Sequence, residues 1–457
     1  MSTLGVDAIT SSTGGPVSFP AGFVIGQGAA GAVNNIGIQG QRGFGVGICP
    51  NTLPAGMIEM TGTRDPSSDN YGNYQFSDGS VMIWIPAFYY KWGTGANGLA
   101  INQISVQSFD AYTDLAIANA AGYALHRAFY DGGAVQPGFF RDKYKCSNNG
   151  GVASSVKNGI PLGSAQRGTL SAAVFSACTG NGQAPANTYA GAIAAAKSRG
   201  ANFFSSSLFM RAAMALLSVA HGQAATGTQF CAWYDATGVK NFPKGCNNNA
   251  LGDASDSTMA FVSDGNGTYA GAGKTGSANF FSRSAHNGQN CGSVDDNGML
   301  YEVCLGLTSN GTNIYILNTA VAMKNMTGGN ALSPTDAWGA TGLAAQYTSL
   351  GTTFGALWAT GASRTAYFGS ATQVFDAAAS GNAWNATGAG IPLATGVGGT
   401  NAFGNDFLSD NTHANEMCPI ACGGWDGAAS AGVWSLALSD VRVTSNSSVG
   451  FRAALYL

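Results

Sequence analysis

Along most of this 457-residue chain, apolar residues come in short runs broken by Gly, Asn, Ser and Asp clusters. Two stretches depart from that pattern and predict helices. Tyr189–Arg199 is Ala-rich and meets Gly200, a common helix stop. Leu208–Ala220 follows Ser206 and Ser207, carries Leu, Met and Ala, and ends at Gly222. Both are short, so both need tertiary packing to persist.

The strands read differently. Val81–Trp92 is β-branched and aromatic with one proline, Pro86, which predicts a strand pair or an edge strand. Gly122–Tyr130 and Pro137–Cys146 predict further strands around a Gly turn. Residues 1–79 are Gly-rich, and Gly37–Cys49 alternates glycine with apolar residues, a pattern of tight turns or close backbone approach. Beyond residue 225 helix signals nearly vanish. Gly245–Thr258, Asp264–Thr275 and Gly390–Asn405 predict long surface loops. The apolar end, Val449–Leu457, predicts a strand tied into a sheet. The expected class is α+β, with a Gly-rich β module over 1–79 and a second domain over 80–457 of two helices, short strands and long loops.

Composition narrows the functional classes. Charged residues are 9% of the chain, against about 25% in an ordinary soluble protein, while hydrophobic residues are 45%. Glycine fills much of the gap with 67 residues. The net charge of −3 argues against nucleic-acid binding. No apolar run approaches the ~20 residues of a membrane span, so no membrane insertion is expected. The first residues lack the basic region and apolar core of a secretory signal. Aromatic residues at 11% supply ample core. Few charges and many small residues suit the surface of a rigid assembly. The nine cysteines are expected to be reduced and mostly buried.

Five segments in order carry a resemblance. They are Phe139–Lys145, the stretch Tyr189–Ala213 with its two helices, Asp296–Val303, Gly423–Asp426 and Gly450–Arg452. Together they resemble the formylglycine-generating-enzyme type of C-type lectin fold, shared by phage tropism determinants and variable proteins of diversity-generating retroelements. Residues 423–452 are similar to the variable display segment of those proteins. The Tyr71–Pro86 stretch looks like modules of phage tail fibres. The resemblance implies a C-type lectin-like domain over 80–457 and a virion-surface receptor-binding protein, a tail fibre or spike. It implies a homotrimer docked to other virion proteins through residues 1–79. It would be made in the host cytoplasm and bind a bacterial surface protein or glycan. A capsid-decoration or appendage protein without a receptor is the alternative.

Candidate chemistry points away from catalysis. The enzymes of that fold use paired cysteines after the Gly-Gly-Ser-Trp turn. Here Cys418 and Cys422 precede Trp425, so a formylglycine-type oxidase is disfavoured. His126, His221, His286 and His413 are scattered, and no nucleophile elbow is present. Asp295 with Asp296, and Asp406 with Asp410, are carboxylate pairs by composition alone. Asp295–Gly298 and Asp264–Gly267 contain calcium-type oxygen ligands, but Asx turns explain them as well. No cofactor, metal or catalytic residue is expected. The expected receptor-binding residues are Trp425, Asp426, Trp434, Ser435, Asp440, Arg442, Ser445 and Asn446, with Trp and Arg as the usual anchors. Trp425 could equally be core, and Asp440 with Arg442 could be a plain surface pair.

Overall fold

The computed structural model describes residues 32–163, 188–236, 249–265, 269–326, 343–353, 365–367, 375, 383–392, 406–409, 417–442 and 446–457. Two six-stranded sheets frame it. The first is antiparallel throughout. Its strands run Met57–Glu59, Asn73–Phe76, Val81–Pro86, Gly138–Asp142, Ala453–Leu455, Phe204–Ser205. The second is mixed and runs Thr365–Tyr367, Phe407–Ser409, Leu436–Ala437, Ile420–Ala421, Tyr301–Val303, Val449–Gly450. A three-stranded sheet of Ile104–Ser108, Phe88–Trp92 and Ala124–Leu125 flanks them. The class is sheet-rich α+β.

Both predicted helices are present. Thr188–Ala196 continues through a 3-10 turn at Lys197–Arg199 and stops at Gly200, whose φ of +146° suits glycine. Leu208–Ala224 is capped by Ser207, whose side chain accepts from Met210 N at 3.2 Å. Every residue from Leu208 to Gly222 is buried, so this helix lies inside the core with no solvent face. Two short helices, Leu115–Ala120 and Ala383–Gly388, were not predicted.

Val81–Trp92 is a strand pair, Val81–Pro86 and Phe88–Trp92. The first of these is central, not an edge. Pro86 is tolerated because it closes the strand, where the chain turns and Ala87 N donates to Pro137 O at 2.8 Å.

The expected boundary at 79/80 does not separate two modules. It falls in the turn of the Asn73–Phe76/Val81–Pro86 hairpin. Ile36, Phe44, Val46, Ile48, Tyr71 and Tyr74 enter the same core as the later strands. The Gly-rich spacing there serves close approach. A Cβ on Gly47 would lie 2.5 Å from both Asn35 O and the Pro86 ring. Residues 1–31 lie outside the described residues.

The chain end is two strands rather than one. Val449–Gly450 pairs with Tyr301 and Glu302 in the second sheet, and Ala453–Leu455 pairs with Phe140 and Arg141 in the first. Phe451 and Arg452 cross between the sheets. That crossing places a guanidinium where the two sheets meet.

Candidate functional site

Three of the five segments that carried the resemblance, 139–145, 296–303 and 450–452, converge on one buried ion network. In Gly138–Asp142, Arg141 sits opposite Ile83 on one side and Ala454 on the other. Its guanidinium reaches Asp296 at 2.8 Å, Glu302 at 2.8 Å and Ser293 Oγ at 2.8 Å. Glu302, mid-strand in the second sheet, also takes Lys145 Nζ and Arg452 Nε at 2.6 Å each. Arg452 donates further to Lys143 O at 2.7 Å and to Val294 O. All these side chains are nearly or fully buried. A second pair lies beside them. Arg199 clasps both oxygens of Asp142 at 2.6 Å, and Asp142 Oδ2 accepts from Ala453 N at 2.8 Å.

The electrostatics follow from burial and count. Burial alone would raise Glu302 and Asp296, but the arginines and Lys145 outweigh it and hold both carboxyls well below their ordinary values. Burial pushes Asp295 up, although Thr275 Oγ1 and Gly276 N donate to its Oδ2 at 2.7 and 2.8 Å. Asp296, Glu302 and Cys422 place ligand-type atoms within 4.8 Å of one another. A divalent ion does not fit this trio. Arg141, Lys145 and Arg452 already occupy the carboxylates, and Arg211 Nε donates to Cys422 Sγ at 3.1 Å. A cation there would meet four positive charges. The network is a clamp between two sheets.

The display segment 423–452 is mostly interior. Its Leu436–Ala437 strand lies between Phe407–Ser409 and Ile420–Ala421, so both its edges are paired. Trp434 was expected to be exposed. It is 3% exposed, edge-on to Trp92 and tilted against Phe375, and its N donates to Asp406 Oδ2 at 2.8 Å. Ser435 and Arg442 are each 1% exposed, and Trp425 is buried under Tyr269. Side chains so placed cannot touch a receptor unless the fold opens. Arg442 forms no surface pair with Asp440. Asp426 and Asn446 are exposed, Asp440 is half-buried, and Ser445 lies outside the described residues.

Sequence reasoning missed two aromatics beside this segment. Tyr301 is half-buried and borders Asp426. A Cβ on Gly424, between them, would lie 2.9 Å from Asp426 Oδ1 and 3.3 Å from Tyr301 Cδ2. Burial, helped by the Asp426 and Asp440 charges, pushes the Tyr301 phenol up to about 12. Tyr301 N donates to Ser448 O at 2.9 Å, which brings the 446–448 turn alongside. Tyr269, half-buried, covers Trp425 with ring centroids 5.1 Å apart. Tyr301 stood inside a resembling segment. Tyr269 stood in a predicted loop and gave no signal.

No family model matches this chain, and no curated protein matches it. Among solved structures, one titled Major Tropism Determinant U1 Variant is similar. Identity is 11%, the TM-score is 0.29, and the match covers 83% of this chain and 65% of that one. This chain therefore spans under two thirds of that structure's length. A likeness of that size does not define a fold.

The described histidines and cysteines are built into the interior. His221 accepts from Gly40 N at 3.1 Å and donates to Phe230 O at 2.7 Å. His286 accepts from Ser293 N at 3.0 Å and pairs with Gly45 O at 3.2 Å. His126 caps a 3-10 turn by accepting from Ala128 N at 3.2 Å. Burial drives all three down, His126 to about 3 and the others to about 4. The seven described cysteines are buried and free. Burial pushes Cys418 up to about 12 and raises Cys422. His413 and Asp410 lie outside the described residues.

Proposed function

We propose that this chain is a phage virion appendage protein of C-type lectin-like architecture, a tail fibre or spike that attaches the particle to a bacterial surface. The reading rests on one observation. Segments 139–145, 296–303 and 450–452, three that carry the resemblance, meet in a single buried ion network joining two sheets. A clamp of that kind holds the neighbouring surface rigid, and a rigid surface loses little ordering entropy when it binds. The contact surface moves from the tryptophans to Tyr301, Tyr269, Asp426 and Asn446, with Asp440 at the margin. Half-buried tyrosines beside exposed carboxylate and amide groups suit a protein or glycan partner.

The role is binding, without catalysis and without a cofactor. Protonated thiols buried away from solvent make poor nucleophiles, which disfavours the oxidase reading. We also place the protein on the virion surface as a homotrimer, docked to other virion proteins through its N-terminal residues. The test is sedimentation of a panel of bacterial strains with purified labelled protein. Saturable retention on particular strains is the expected result. Incorporation into particles with no retention on any strain would favour the decoration role.

A further inference from the structure

Arg442 is buried to 1% exposure, yet none of Nε, Nη1 or Nη2 has a hydrogen-bond partner. Its guanidinium stacks 4.7 Å from the Tyr189 ring centroid and 5.9 Å from that of Tyr347. The hydroxyls of Tyr189 and Tyr347 are also buried; they interact with each other and have no further hydrogen-bond partner among the described residues. The three side chains come from the Thr188–Ala196 helix, the Tyr347–Thr353 strand and the display segment. Tyr189 N donates to Arg442 O at 3.2 Å, which fixes the helix start to the segment. The nearby Cys418 thiol is held up to about 12 by burial and so brings no countercharge.

The other buried arginines among the described residues each have hydrogen-bond partners, Arg127 and Arg211 through backbone carbonyls. Arg141, Arg199 and Arg452 each meet a carboxylate. Arg442 instead lies over two phenol rings with its guanidinium N–H groups unpartnered, and the mutually paired phenols bring no negative charge. Ring stacking offsets only part of the cost of stripping water from a guanidinium. The missing component is an acceptor that carries negative charge.

We propose that Arg442, Tyr189 and Tyr347 form an internal site for a small inorganic anion, a halide or a tetrahedral oxyanion. The anion ties the display segment to the helix and so sets the rigidity of the surface that segment supports.

Thermal unfolding of the full chain tests this. Chloride, phosphate and sulfate are titrated separately, with a bulky organic sulfonate holding ionic strength constant. At about 100 times the dissociation constant the midpoint rises by about 3 °C. Chloride acting alone identifies a halide site, and phosphate or sulfate acting identifies an oxyanion site. Arg442→Met abolishes the anion response and is at least as stable as the anion-free parent, because it removes an uncompensated charge. Should that variant fail to fold, Tyr189→Phe with Tyr347→Phe keeps the rings and weakens the response. A parent midpoint indifferent to all three anions overturns the proposal.

Discussion

At the scale of single residues, the ion network decides more than any exposed side chain. Removing one member of a buried pair strands the other charge, at about 3–5 kcal/mol. Glu302 faces three cations, so Glu302→Gln should lower stability by at least that amount in urea unfolding. Arg64→Ala, which breaks the exposed pair with Glu59, should cost under ~1 kcal/mol. The buried histidines set the response to acid. Their folded values, about 3 for His126 and about 4 for His221 and His286, lie below the ~6.5 of the unfolded chain. The unfolded state therefore binds more protons below pH ~6.5, and stability falls as pH drops from there toward ~4. Glu302 and Asp296, also depressed, add to the loss below pH ~4.5. Urea midpoints measured from pH 7 to pH 4 should fall steadily below ~6.5.

At the scale of elements, sequence reading succeeded where local chemistry dominates. Ser207 as a cap, Gly200 as a stop and the aromatic run after Val81 each act within a few residues, and each element is present. Ser207→Ala should cost about 1 kcal/mol through loss of the cap to Met210. What could not be read was set by contacts distant in sequence. Trp434 and Arg442 looked like exposed anchors, but pairing with strands 407–409 and 420–421 encloses that segment. The boundary at 79/80 looked like a change of composition, and it is a hairpin turn. The Gly-Phe-Arg end read as one strand because nothing local reveals that it changes sheets. Gly450 is needed there, since a Cβ would lie 2.4 Å from Leu162 O and 2.4 Å from Leu300 Cδ2. Gly450→Ala should lower the thermal midpoint more than Gly227→Ala, where the added carbon meets nothing within 4 Å and the backbone is not left-handed.

At the scale of the whole molecule, two sheets are held by buried charge while the surface carries little. That division suits a part that must stay rigid at the end of an assembly and present a small patch. The patch proposed around Tyr301 borders the clamp directly, because Glu302 is the next residue. The central claim is that this patch binds a bacterial surface. The most direct measurement is affinity for a retained strain, compared between the parent and Tyr301→Ala/Asp426→Ala, with thermal midpoints recorded alongside. Loss of a tyrosine anchor of about 2 kcal/mol corresponds to roughly 30-fold weaker binding, measured at a temperature where the midpoints show both proteins folded. Unchanged affinity in that variant would contradict the account and move the binding surface elsewhere on the molecule.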